Sequence, residues 1–223
     1  MTPRVVILSA PSGGGKTTIA RTLAARRADV GISVSATTRA PRAGERDGEA
    51  YHFVSRAEFL RRVDAGEFLE KAVYAGELYG TLRTEVDAIR RAGRHVLLDI
   101  EVQGARQVRA LLPAEEVIAV FVLPPDPDTW VARLQGRRSD SAAGLARRFA
   151  VAVREIAAVP EYGHIVVNDD LERAVAEVAG IIESGGTPAR RPPDWQRRTA
   201  ELRRVALAAD RMEQFLEPGR DVA

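Results

Sequence analysis

Residues Ser9 to Thr18 read S-A-P-S-G-G-G-K-T-T. They follow the apolar run Val5-Val6-Ile7-Leu8 and precede a helix-like run that ends at Ala28. Strand, glycine loop and helix, in that order, form the setting in which a phosphate-binding loop works. Gly13, Gly14 and Gly15 carry no Cβ, so successive backbone N–H groups can turn inward into an anion nest. The following helix adds the positive end of its dipole. Lys16 can reach the β- and γ-phosphates of a nucleoside triphosphate, and the Thr17 hydroxyl can ligate Mg²⁺. Ala10 stands where the general pattern has its first Gly. Of 33 basic residues only Lys16 and Lys71 are lysines. A chain so biased toward arginine keeps an ammonium where a slim cation must enter a nest. The dinucleotide fingerprint G-x-G-x-x-G fails, because Thr18 occupies its third Gly.

A second group of residues has the chemistry of a nucleotide acceptor site. Arg39 and Arg42 stand three apart around a proline bend, a spacing that lets two guanidiniums clamp one phosphate. Tyr51 and Tyr79 can add hydroxyl donors. Glu70 and Glu101 are carboxylates in otherwise apolar strand contexts. A carboxylate accepts two donors side by side, which is what guanine N1–H and N2–H₂ present. The Ser35 and Thr81 hydroxyls can donate to guanine O6. Phosphate clamp, carboxylates and hydroxyls together fit GMP.

The elements that must position these groups follow from periodicity. Val5–Leu8, His95–Ile100, Val117–Leu123 and His164–Val167 read as buried parallel strands. Helix patterns cover Thr17–Ala28, Gly104–Leu112, Asp126–Leu134, Leu145–Val159 and Leu171–Glu183. This alternation predicts a three-layer α/β/α core, residues 1–32 and 95–185, with ligands at the carboxyl ends of a mostly parallel sheet. Residues 33–94 break the rhythm as a small mixed β-rich insertion. Ser33–Thr38, Tyr51–Val54, Phe68–Ala72 and Tyr79–Leu82 read as strands, with a turn near Gly76. Arg56–Asp64 and Thr84–Arg91 read as helices, the first with a Ser55/Glu58 capping box. The basic, Gly-flanked loop in residues 136–147 has the composition of a lid. Residues 186–223 predict a linker and a final amphipathic helix. The stripe Trp195, Thr199, Leu202, Val205, Ala209, Met212 and Leu216 would dock on the body or form a homo-oligomer.

Composition bounds the remaining classes. The 223 residues carry a net charge of +2 and no cysteine. Residues 1–185 hold 25 basic and 25 acidic side chains, so no basic face for nucleic acid is expected. No apolar run approaches the ~20 residues of a membrane span. The absence of cysteine and of a signal-like start predicts a cytoplasmic protein. His52, His95 and His164 lie far apart with no ligand spacing, and read as structural.

The motifs S-A-P-S-G-G-G-K-T, S-V-S-A-T-T-R-A-P-R-A-G-E, D-G-x-x-Y-x-F-V, F-L-E, L-Y-G-T, L-L-D-I-E-V-Q-G-A and I-V-V-N-D-D occur in the order seen in guanylate kinases. The resemblance runs over residues 4–185. It implies Mg²⁺-dependent transfer of the ATP γ-phosphoryl to GMP. Ala10, Pro11, Ser12, Gly13, Gly14, Gly15, Lys16, Thr17 and Thr18 would wrap the ATP phosphates, and Asn168 would lie near adenine. Asp99 would organise Mg²⁺ and its waters beside Thr17. Arg39, Arg42, Tyr51 and Tyr79 would hold the GMP phosphate, and Ser35, Glu70, Thr81 and Glu101 would read guanine. Arg137 in the lid and Arg148 on the next helix would neutralise charge on the transferred group, with Lys16 the third catalytic cation. Glu101 stands where many relatives have Asp, and Arg138 where the lid usually has Gly. Two rival readings stay open: a P-loop kinase for another acceptor, and a non-catalytic module like the guanylate-kinase-like domains of scaffolds. The intact loop with Lys16 and Thr17 argues against the second.

Overall fold

The computed structural model describes residues 2–74, 76–135 and 142–216. The chain opens with β1 (Val5–Ser9), α1 (Lys16–Arg26) and β2 (Val30–Ile32). Next come β3 (Ala36–Thr37), β4 (His52–Phe53), α2 (Arg56–Asp64), β5 (Phe68–Tyr74), β6 (Glu77–Leu82) and α3 (Arg83–Arg91). The second half runs β7 (His95–Asp99), α4 (Val102–Leu111), β8 (Val117–Leu123), α5 (Pro127–Gln135), α6 (Ala142–Ala157), β9 (His164–Val167), α7 (Leu171–Glu183) and α8 (Trp195–Leu216).

Five strands in the order β2-β7-β1-β8-β9 form a wholly parallel sheet. Its strands read as unbroken apolar runs because both faces are covered. Along β1, Val5 and Ile7 enter one core, while Val6 and Leu8 enter the other. Ile19 and Leu23 of α1 and Val178 and Ile182 of α7 cover the second face. Val108 of α4, Trp130 of α5, Ile156 of α6 and Leu202 of α8 cover the first. The result is the expected three-layer arrangement. The four-stranded second sheet, β4-β3-β6-β5, is mixed, and all its strands fall between Ala36 and Leu82.

Several expectations need correction. The parallel sheet has a fifth strand, β2, whose three residues V-G-I are too short and too Gly-broken to read as a strand. Of the alternating stretch Ser33–Thr38 only Ala36 and Thr37 pair. Ser55 caps α2 by accepting from the Glu58 N–H at 3.1 Å, but the Glu58 carboxylate is taken by Arg61 and Arg62 instead of closing the box. Residues 136–141 of the lid, including Arg137 and Arg138, lie outside the described residues, and α6 begins at Ala142, inside the segment expected to be loop.

The expected linker is docked. The Ile165 N–H donates to the Arg190 carbonyl at 2.9 Å, so the chain after α7 satisfies part of the β9 edge. His164 lies between the same two segments, its Nδ1 accepting the Arg190 N–H at 3.2 Å and its Nε2 3.1 Å from the Gly186 carbonyl. That pairing requires a neutral ring, and burial lowers its pKa in keeping. His95 is likewise structural: its Nδ1 accepts the Arg4 N–H at 3.1 Å. In α8, Leu202 and Ala206 are buried against the body, so the described part of the apolar stripe serves its own chain. Among the described residues no helix is long and apolar enough to cross a membrane.

Candidate active site

The loop after β1 is built as its glycines predict. Gly15 is the N-cap of α1 at φ 90°, and a Cβ there would lie 2.2 Å from the Asn168 side-chain nitrogen. No L-residue with a side chain fits both constraints. Ala10 is tolerated at the first position because its Cβ packs where Gly14 has none. One detail differs from the expected nest: the Gly14 N–H donates to the Pro11 carbonyl at 2.8 Å, closing a tight turn. The first-turn amides of α1 remain to face an anion, since a helix start has no internal partners for them.

Three side chains brace the loop from outside. Asn168 donates to the Gly14 carbonyl at 2.9 Å and is buried. The resemblance puts its loop near adenine; the structure gives its amide the work of holding the phosphate loop. Trp130 of α5 donates its ring N–H to the Ser12 carbonyl at 2.8 Å. Glu155 of α6 accepts the Ser12 N–H at 3.3 Å. Neither Trp130 nor Glu155 is marked in the sequence as a loop contact.

Lys16 and Thr17 begin α1 facing the end of β7. The Lys16 ammonium lies 2.7 Å from Asp99 Oδ1 and 3.5 Å from Glu101 Oε1. The Thr17 hydroxyl donates to Asp99 Oδ2 at 2.5 Å. Parallel pairing of β1 with β7, Leu8 opposite Asp99, brings loop and carboxylate together. Burial works against the Lys16 charge, but Asp99 and Glu101 outweigh it and hold its pKa well above the usual range.

The second sheet carries part of the other group. Thr81 of β6 pairs with Glu70 of β5, and Ala36 pairs with Gly80. Ser35 directly precedes β3, whose Ala36 pairs with Gly80, the neighbour of Thr81. The Thr81 hydroxyl donates to Glu70 Oε1 at 2.6 Å, and both residues are buried. Burial raises the Glu70 pKa. α4 docks on β5 directly beside this carboxylate. Gln107 accepts from the Lys71 N–H at 3.1 Å and donates to its carbonyl at 2.6 Å. Glu101 is the N-cap of the same helix.

The arginine pair is only partly assembled. Arg39 donates through Nη2 to both oxygens of Glu45 at 2.9 Å, and its guanidinium stands 5.5 Å from the Tyr51 ring centre. Tyr51 and Tyr79 meet edge to face with centres 5.8 Å apart. Arg42 is exposed, and Glu45 holds its backbone N–H at 2.7 Å. Glu45 therefore organises both arginines; a carboxylate three residues after Arg42, in the turn they share, was the available signal. Burial, followed by the opposing charges of Lys16 and Asp99, governs the pKa of Tyr51. Arg148 lies on α6, the helix whose Glu155 holds the Ser12 N–H of the phosphate loop.

The guanylate kinase family model matches residues 2–185. The chain belongs to the guanylate kinase family. It is 44% identical over 181 residues to the guanylate kinase of Chromohalobacter salexigens, covering 81% of this chain and 83% of that relative. The relative from Paramagnetospirillum magneticum is 47% identical over 178 residues, covering 80% and 83%. The crystal structure of guanylate kinase from Anaplasma phagocytophilum superposes with a TM-score of 0.69 at 31% identity, covering 83% of this chain and 87% of that one.

Within this family member, Gly104 is a residue that reasoning from side-chain chemistry passes over. A Cβ there would lie 2.2 Å from Glu70 Oε2 and 2.8 Å from its Cδ. Gly104 sits in α4, where alanine is the better helix former. The Gly104→Ala helix should therefore stay intact while Glu70 is displaced. With Glu70 as an acceptor contact, the variant is expected to raise the acceptor KM about tenfold or more. The ATP KM should be unchanged. Titrating acceptor at saturating ATP checks this; an unaltered acceptor KM would remove Glu70 from the site.

Proposed function

We propose that this chain transfers the γ-phosphoryl group of ATP to GMP, giving ADP and GDP. The observation that carries the reading is the position of Lys16: it touches Asp99 beside the phosphate loop and Glu101 at the start of α4, the helix that docks on β5 beside Glu70. One cation thus joins the phosphate loop to the carboxylate that begins α4.

The roles follow from the chemistry of each group. The loop from Ala10 to Thr18 holds the ATP phosphates by its amides and by Lys16. Arg39, Arg42, Tyr51 and Tyr79 hold the phosphate of GMP, with Glu45 setting the arginine geometry. Glu70 and Glu101 accept the guanine N–H groups, while Ser35 and Thr81 face O6. Thr81 must turn its hydroxyl from Glu70 to do so. The attacking group is an anionic phosphate oxygen, so no strong general base is needed. Catalysis rests on bringing two anions in line within a cationic frame of Lys16, Arg148 and Arg137. Thr17 Oγ1 and Asp99 Oδ2 are adjacent hard oxygen donors, the set that Mg²⁺ takes. When bound with ATP, that ion neutralises charge on the β- and γ-phosphate oxygens. A cysteine-free enzyme working on these nucleotides suits the cytoplasm.

The test is ADP release from Mg²⁺-ATP with GMP, AMP, CMP, UMP or no acceptor. Release with GMP alone supports both sites. Turnover with another acceptor instead would keep the phosphate loop and overturn the guanine roles of Glu70 and Glu101.

A further inference from the structure

The amides of the phosphate loop need something to aim them. Among the described residues, Gly14 donates its N–H to the Pro11 carbonyl at 2.8 Å, while the N–H groups of Gly13 and Gly15 have no backbone partner. In a trans peptide the C=O and the next N–H point in opposite directions. Whatever holds the Ser12 carbonyl therefore aims the Gly13 N–H, and whatever holds the Gly14 carbonyl aims the Gly15 N–H. Trp130 donates its indole N–H to the first at 2.8 Å, and Asn168 donates to the second at 2.9 Å. Gly13 and Gly15 stand at φ 82° and 90°, and glycine leaves such peptides free to turn unless something outside holds them.

Both holds trace to α5. Trp130 is fully buried there, meeting Phe149 of α6 edge to face with ring centres 5.6 Å apart. A Cβ on Gly13 would meet Leu134, one turn further on, at 3.2 Å and the Trp130 ring at 3.5 Å, so α5 lies directly against the loop backbone. Arg133 of the same helix donates to the Asn168 carbonyl at 3.1 Å. We propose that Trp130 is a positioning residue for the ATP half of the site: its indole N–H fixes the Ser12–Gly13 peptide so that the Gly13 amide faces the phosphate. This role rests on the reading of the loop as the ATP-phosphate cradle. Packing alone asks only for a large apolar side chain at this position; the loop uses the polar handle.

Two substitutions separate the hydrogen bond from the packing. Trp130→Phe removes the N–H and keeps an aromatic ring in the cluster. Phe149→Leu thins the same cluster and leaves the N–H in place. Both are expected to lower the thermal midpoint. Only Trp130→Phe should raise the calorimetric Kd for Mg²⁺-ADP and the KM for ATP, each about tenfold, because the Ser12 carbonyl is left without its donor and free to turn. The GMP KM should stay within about threefold in both variants. Equal weakening of ADP binding by the two would make Trp130 a packing residue and overturn the proposal. A Trp130→Phe protein that loses stability and keeps wild-type nucleotide affinity would overturn it as well.

A readout with the indole in place covers the case in which Trp130→Phe fails to fold. The chain has two tryptophans, Trp130 and Trp195, so Trp195→Phe leaves Trp130 as the sole source of indole emission. A phosphate on the Gly13 N–H polarises that peptide and strengthens the Ser12 carbonyl as an acceptor for the indole. Saturating Mg²⁺-ADP is therefore expected to shift the Trp130 emission, and GMP alone is not. Emission that ignores ADP, or that responds equally to GMP alone, would contradict the proposal. Failure of the kinase reading would instead appear as wild-type protein that binds ADP and does not use GMP.

Discussion

Lys16→Ala is expected to lower kcat by about three orders of magnitude or more. The ammonium lies 2.7 Å from Asp99 and 3.5 Å from Glu101, and their charges keep it protonated. Without it, those two carboxylates and the buried Glu70 face a cleft that must admit two anionic nucleotides. Charge on the transferred phosphoryl would then lose the cation that the loop places beside it. Lys16→Arg should not restore the rate, because the planar guanidinium is too wide for the nest. Steady-state ADP release, with circular dichroism to confirm folding, decides the matter. An alanine variant within tenfold of wild type would move phosphate binding away from this loop.

Glu70→Gln is expected to lower kcat/KM for GMP by about 30- to 1,000-fold, roughly 2–4 kcal/mol. Thr81 can still donate to the remaining carbonyl, since its hydroxyl stands 2.6 Å from Glu70 Oε1. The new N–H₂ then meets guanine N–H groups donor to donor. Adenine presents an acceptor at N1, so selectivity for GMP over AMP should narrow. The ATP KM should stay within about threefold. Because burial raises the Glu70 pKa, binding of GMP should weaken on acidification at a pH above the ordinary carboxylate range. Kinetics with both acceptors across pH test this; a change confined to the ATP KM would misplace the guanine site.

How much of this was legible depended on whether a residue's task is local. The four longest core strands announce themselves because burial on both faces writes an apolar run. The phosphate loop is legible because its geometry is set by neighbouring glycines, and Ser55 because a cap acts within one turn. Tertiary tasks left no such mark. Glu155 reads as one polar position in an alanine-rich helix, and only folding brings it to Ser12. Trp130 reads as a core residue and also holds the loop carbonyl. Gly104 matters through what it leaves open for Glu70 from another element. The docked segment after α7 looks like a linker because its bonds are made by backbone groups, which composition does not reveal.

The central claim is that one cleft passes phosphate from ATP to GMP. The most direct measurement is single-turnover incubation of the protein with Mg²⁺, GMP and ATP labelled at the γ-phosphoryl, with the products separated. The account predicts label in the β-position of GDP, with ADP formed one for one and little free phosphate. Label released as inorganic phosphate, or ATP left intact by folded protein that binds both nucleotides, would contradict it.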